Sequence, residues 1–149
     1  MADAGLTGRK IIADTYGGWG SHGGGCFSGK DGSKVDRSGA YIARRIAKSL
    51  VAGGFCHRCT VQVAYGIGIA DPISVYVNSF NTAADCGYTE EELDAIVRKN
   101  FNLKAGALRK ELGLRRPLFR GTTLFGHFLK SGDNFIWEKP VDLSSEKKK

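Results

Sequence analysis

The sequence predicts an α+β domain built on a mixed or antiparallel sheet with helices on one face. Three observations predict it: a period-two apolar run at 60–69 followed by a second β-prone run at 73–80, a four-residue apolar repeat after Asp36, and a capping-box motif at Thr89 that opens a second helical stripe. The chain has 149 residues, 42% hydrophobic and 10% aromatic, with only 3 Pro, which is enough apolar material for one core and too much for a disordered segment.

Taken in order, Ile11 to Tyr16 is apolar and β-prone and reads as a short strand. Eight glycines then fall between 17 and 32, at 17, 18, 20, 23, 24, 25, 29 and 32, a density that allows backbone to approach a ligand closely. Asp36 can serve as the N-cap of a helix in which Ile42, Ile46 and Leu50 repeat every four residues, and Gly53-Gly54 ends the run. From Thr60 to Ile69 strict alternation places Val61, Val63, Tyr65, Ile67 and Ile69 on one side of a strand. Asp71-Pro72 makes a turn and Ile73 to Phe80 returns as the partner strand of an antiparallel hairpin. Thr89-Glu-Glu-Glu92 is a capping box, and Leu93, Ile96, Val97 and Phe101 form the buried stripe of the helix it starts. A shorter helix follows from about Ala105 to Leu112 and stops at Gly113, and beyond Pro117 the chain is aromatic and irregular. Residues 1–143 read as one domain and 144–149 as a charged, solvated tail.

Lys+Arg 22 against Asp+Glu 15 gives a formal charge of +7, which calls for an anionic partner. Arg44-Arg45 and Arg115-Arg116 are too short to act as nucleic-acid arms, so nucleic acid is not expected as a partner. No apolar run approaches the ~18 residues of a membrane span, and Met1-Ala-Asp-Ala-Gly5 has neither the basic nor the apolar stretch of a secretory signal. A cytoplasmic protein with no membrane partner is the expectation, and Cys26, Cys56, Cys59 and Cys86 are then free thiols. Cys56-His-Arg-Cys59 has C-x-x-C spacing, but no second ligand pair follows at finger-like distance, and turn residues leading into a strand are the simpler reading.

The sharpest local feature is Gly23-Gly-Gly-Cys-Phe-Ser-Gly-Lys-Asp31. Gly24 and Gly29-Lys30 fit G-x-x-x-x-G-K, in which backbone N–H groups and one lysine cradle phosphate oxygens. Asp31 stands where a Walker loop needs Ser or Thr for magnesium, which argues against an ordinary nucleotide hydrolase. Arg9, Lys10, Lys30 and Lys34 nonetheless surround the loop and suit a polyphosphate. Asp3 and Asp36 bracket the set and could hold magnesium, a substrate ammonium or a ribose hydroxyl. Solvated charges beside a glycine linker satisfy the same pattern.

The strings Asp3-Ala-Gly-Leu-Thr-Gly-Arg-Lys-Ile-Ile12, Asp14-Thr-Tyr-Gly-Gly-Trp-Gly20, His22-Gly-Gly-Gly-Cys-Phe-Ser-Gly-Lys-Asp31 and Lys34-Val-Asp-Arg-Ser38 resemble the C-terminal part of the methionine adenosyltransferase (S-adenosylmethionine synthetase) family. The glycine-rich nonapeptide is a signature of that family. The likeness continues through Ala47-Lys-Ser-Leu50, Val61-Gln-Val63, Tyr65-Gly-Ile-Gly68 and Gly126-His-Phe128 to Trp137-Glu138, covering the chain to about Pro140. It implies the C-terminal part of a three-domain α+β fold and a transferase joining ATP to L-methionine. In such an enzyme the sulfur attacks C5′ in line, S-adenosylmethionine forms, and the tripolyphosphate is cleaved to pyrophosphate and phosphate. The resemblance assigns Arg9, Lys10 and Lys30 to the phosphates and Lys34 to methionine and phosphate, all four as catalytic residues. It assigns Asp3 to both substrates, Asp36 to the metal and phosphate cluster, Ile67 to the adenine or methionine pocket, and the Cys26 backbone to the nucleotide.

Cys26, Gly39 and Gly66 each stand where the family pattern has alanine. The family's N-terminal ligands for Mg2+ and K+, its adenosine motif and its gating loop are not in this sequence, which begins just before Asp3 as though split from a longer chain. The resemblance further implies a homodimer or tetramer, or a complementary N-terminal chain. The alternative is a nucleotide- or polyphosphate-binding fragment that does not turn over alone.

Overall fold

The computed structural model describes residues 8–148, so Asp3 lies outside the described residues. Helix α1 spans Val35–Ala52, strands β1 and β2 span Thr60–Ala64 and Ser74–Asn78, and helices α2, α3 and α4 span Thr82–Asp85, Glu90–Asn100 and Ala105–Glu111. Short 3-10 turns follow at Phe119–Thr122, Ile136–Glu138 and Ser144–Glu146. The architecture is α+β, as the alternation and helical spacing predict.

The strands pair antiparallel with Val61 opposite Val77 and Val63 opposite Val75. Because side chains alternate across a strand, this register gathers the four valines on one face. Val75 and Val77 are buried in the core, and Val61 and Val63 pack against it. Helix α1 lies against β1 and α3 against β2. Ile42, Ile46 and Leu50 of α1 and Leu93 and Val97 of α3 are fully buried, and Ile96 and Phe101 nearly so. Thr89 caps α3 with both reciprocal capping-box bonds. Gly113 follows α4 at φ 64°, a left-handed conformation that favours glycine and ends the helix.

Four sequence expectations are corrected. The run from Ile11 to Tyr16 forms turns instead of a strand: the Asp14 N–H donates to the Lys10 carbonyl at 2.9 Å, and Lys10 Nζ closes the same turn on Asp14 Oδ1 at 2.7 Å. These local i,i+4 contacts outweigh β-propensity where no strand pairs with the segment among the described residues. Lys34, not Asp36, is the N-cap of α1; Asp36 sits in the first turn, with its carboxylate turned to Lys30. The alternation at 60–69 yields a strand only to Ala64. The chain leaves the sheet after Ala64, and Ile67 and Ile69 stand exposed. The connection to β2 turns at 66–69, where the Ile69 N–H donates to the Gly66 carbonyl at 3.2 Å, ahead of Asp71-Pro72.

The C-terminal residues dock on the helical layer. Lys148 Nζ bonds Glu92 Oε2 and the Gly87 carbonyl, both at 2.7 Å, and lies over the Tyr88 ring. No helix among the described residues is long and apolar enough to cross a membrane.

Candidate functional site

The glycine loop, residues 22–32, runs into α1 and is held from behind by side chains of distant segments. Arg37, 2% exposed, is the first fixed point. Its Nη1 donates to the carbonyls of Phe27 at 3.1 Å and Lys30 at 2.7 Å, Nε donates to Tyr41 Oη at 3.1 Å, and Nη2 donates to Thr122 Oγ1 at 2.9 Å. The guanidinium also lies 3.6 Å from the Phe119 ring centroid, a cation–π arrangement.

His127 is the second fixed point and is fully buried. Its Nδ1 lies 2.6 Å from Tyr41 Oη, and its Nε2 lies 3.3 Å from Ser28 Oγ and 3.6 Å from Asp14 Oδ2. Burial pushes the imidazole down to about 4; Asp14 pulls it up, while Arg37, Lys10 and Lys130 push it further down.

Folding stability is therefore expected to fall on mild acidification. Above pH 6.5 both states are neutral and the ring contributes nothing to the pH dependence; below it the unfolded chain binds a proton that the native ring refuses. The loss reaches about 2 kcal/mol by pH 5 and levels off below about pH 4. Melting temperatures of the wild-type chain and His127→Gln between pH 7.5 and 5 check this, and the variant should show the flatter curve.

A third cluster braces the other end of α1. Glu138, 8% exposed, accepts from Arg44 Nη2 at 3.1 Å, Lys48 Nζ at 2.9 Å and the Leu129 N–H at 2.7 Å. Burial raises its carboxyl, but these donors prevail and hold it below the ordinary range. Lys48, on a helix face away from the loop, is thereby a structural residue.

The structure places the loop cations as follows. Lys30 is nearly buried and its ammonium pairs with the Asp36 carboxylate. Lys34 Nζ pairs with Asp31 Oδ2 at 3.0 Å. Asp31 also accepts from the Ser33 hydroxyl and N–H, and these bonds, with Lys34, hold its carboxyl far below the ordinary range. Lys10 pairs with Asp14, whose other oxygen faces His127, so the Lys10 turn and the glycine loop meet at that ring. Arg9 is exposed at φ 56°, a left-handed conformation that costs a non-glycine residue energy. Cys26 is buried in the loop beside Gly25. Alanine at Gly25 would set its Cβ 2.3 Å from Asp36 Cγ, so glycine is what lets Asp36 lie against the loop. Ile67 is 106% exposed and lines neither of two surface cavities of about 610 and 300 Å³.

The residues that bring the site together, Arg37 and His127, were not singled out by sequence reasoning. Arg37 is adjacent to Asp36 in a matched string and His127 lies in Gly126-His-Phe128, but nothing local marks either as buried. Magnesium takes six oxygen ligands in near-octahedral geometry. Among the described residues the site's carboxylates, Asp14, Asp31 and Asp36, are each engaged by a lysine, and there is no group of three His, Cys, Asp or Glu able to hold a metal. These residues alone do not make a magnesium site. The C-x-x-C pair consists of free thiols at the turn into β1. A hydrogen bond between the two lowers the Cys56 thiol and raises that of Cys59.

A buried frame behind a glycine loop rimmed by lysines fits the resemblance seen in the sequence, and comparison with known proteins decides the family. The family model described as S-adenosylmethionine synthetase, C-terminal domain, matches residues 1–139. The chain belongs to the S-adenosylmethionine synthetase family. It is 55% identical to an S-adenosylmethionine synthase of Bifidobacterium adolescentis over 137 residues, covering 92% of this chain and 33% of that protein. A synthase of Desulfosudis oleivorans is 54% identical over 138 residues, 93% of this chain and 35% of its own length. One of Myxococcus xanthus is 53% identical over 139 residues, 93% and 34%. The chain thus spans about a third of the length of these synthetase relatives.

Proposed function

We propose that this chain is the portion of a methionine adenosyltransferase that holds the triphosphate of ATP and orients L-methionine against it. One observation carries the reading: the loop that bears Lys30 and Lys34 is fixed from behind by Arg37 and His127 and joined through Asp14 to the Lys10 turn, and each lysine is paired with a carboxylate that a polyphosphate can replace. In the reaction the methionine sulfur donates a lone pair to C5′ and the C5′–O bond breaks. Its electrons leave on tripolyphosphate, and S-adenosylmethionine is the other product. The sulfur is already nucleophilic and needs no base, so the work falls on alignment and on charge stabilisation at the leaving group. Lysine ammonium groups and Arg9 supply that charge.

In the same reading Asp3 contacts both substrates, the Cys26 backbone approaches the nucleotide and Ile67 lines the adenine or methionine pocket. Asp36 joins the metal cluster, with the main ligands for Mg2+ and K+ contributed by the remaining two thirds of the enzyme. That remainder is supplied by the same polypeptide or a complementary N-terminal chain, within a cytoplasmic homodimer or tetramer that binds neither nucleic acid nor membrane. Residues 1–143 form the synthetase portion and 144–149 its charged tail. A second reading, polyphosphate binding without turnover, is favoured for the chain alone because the described residues include no group of three His, Cys, Asp or Glu able to hold a metal.

An adenosyl-transfer assay with ATP, methionine, magnesium and potassium separates the two. Product is expected when the chain is mixed with a synthetase N-terminal portion, and not from the chain alone. Binding of inorganic tripolyphosphate without product in either case would leave the second reading; no binding at all would overturn both.

A further inference from the structure

The bonds around His127 have a direction. Arg37 Nε can only donate, so Tyr41 Oη accepts from it at 3.1 Å; the Thr122 hydroxyl beside it donates to the Phe119 carbonyl at 2.7 Å, and Tyr41 turns its own proton to its nearest partner, His127 Nδ1, at 2.6 Å. Nδ1 is therefore the acceptor and Nε2 carries the ring proton, which faces Ser28 Oγ at 3.3 Å and Asp14 Oδ2 at 3.6 Å. Asp14 Oδ1 in turn holds Lys10 Nζ at 2.7 Å. The ring stands between the two segments that carry the loop cations, and its backbone is fixed. The His127 N–H donates to the Asp14 carbonyl at 3.4 Å, and the His127 carbonyl accepts from Trp137 Nε1 at 2.9 Å. Phe27 of the loop meets the ring edge-on at 5.0 Å between centroids.

We propose that His127 is a positioning residue: its ring relays hydrogen bonding from α1 to Ser28 and thereby fixes the glycine loop against the Lys10 turn. A proton added at Nδ1 would place a donor against the Tyr41 hydroxyl and break the relay. The titratable and charged groups facing the ring are Asp14, Tyr41, Arg37, Lys10 and Lys130. The consequence for ligand binding rests on the proposed function; the fixing of the loop does not.

The test compares wild type with Ser28→Ala, His127→Asn and His127→Gln. A glutamine amide nitrogen reaches the position of Nε2 and can restore the bond to Ser28, whereas asparagine reaches only the position of Nδ1. Amide hydrogen exchange over residues 24–30 and calorimetric titration with inorganic tripolyphosphate are the readouts. Ser28→Ala and His127→Asn are expected to speed loop exchange and weaken tripolyphosphate about five- to tenfold, the equivalent of one hydrogen bond, with recovery to within about twofold in His127→Gln. Unchanged loop exchange in Ser28→Ala overturns the proposal even if His127→Asn fails to fold. Equal losses in the Asn and Gln variants, as general core damage would give, also overturn it. If wild type does not bind tripolyphosphate while Ser28→Ala still loosens the loop, the proposed function fails and the positioning role stands.

Discussion

Arg37→Ala is expected to lower the unfolding free energy by about 3–5 kcal/mol, comparable to truncating a large core side chain. The guanidinium is buried and its four acceptors are all neutral oxygens: the carbonyls of Phe27 and Lys30 and the hydroxyls of Tyr41 and Thr122. Burying a cation is tolerable only when its donors are satisfied. Removing it leaves two loop carbonyls without this donor and opens a cavity beside Phe119. Arg37→Lys should recover less than half of the loss, because one ammonium cannot span acceptors arranged around a planar fork. Urea unfolding of the three proteins measures this, and a loss below about 1 kcal/mol for Arg37→Ala would show that the frame around the loop does not depend on it.

The second large effect concerns Lys30 and Asp36, whose substitutions are expected to act in opposite directions. Lys30 is nearly buried in the loop, so a phosphate oxygen reaching its ammonium gains a charge-assisted bond in a poorly hydrated place. Lys30→Ala should weaken inorganic tripolyphosphate about 10- to 100-fold, given ~1.5–3 kcal/mol for such a bond. Asp36→Asn should strengthen tripolyphosphate in magnesium-free buffer, because the paired carboxylate competes for the same ammonium and repels the incoming anion. Lys110→Ala, an exposed position on α4, serves as the comparison. Calorimetric titration at fixed salt reads all three. Equal losses for Lys30→Ala and Lys110→Ala would remove the loop from the site, and weaker binding by Asp36→Asn would mean that its carboxylate organises Lys30 for the ligand.

Much of the fold was legible because it is written in local interactions. The Thr89 capping box joins residues three apart, the repeat of Ile42, Ile46 and Leu50 is one helical face, and the paired valines of β1 and β2 follow from alternation. The same local logic misread 11–16, where β-propensity met no strand partner among the described residues, and 65–69, where the alternation continued after the chain had left the sheet at Ala64. The loop cations were legible as a set, since they lie within a few residues of one glycine-rich segment.

What holds that loop was not legible. Arg37 reaches Thr122, His127 reaches Ser28 and Tyr41, and Glu138 reaches Arg44 and Lys48, bonds that join residues 85 to 99 positions apart. The sequence by itself determined the α+β class, the three longer helices but not the short α2, the hairpin, the cationic glycine loop and the kinship to S-adenosylmethionine synthetases, because each is carried by neighbours along the chain. Only the tertiary structure decided which polar groups are buried, which carboxylate each lysine meets and which ring stands behind the loop. Burial and pairing are set by segments far apart in sequence, and the cost of an unsatisfied buried group is what selects their arrangement.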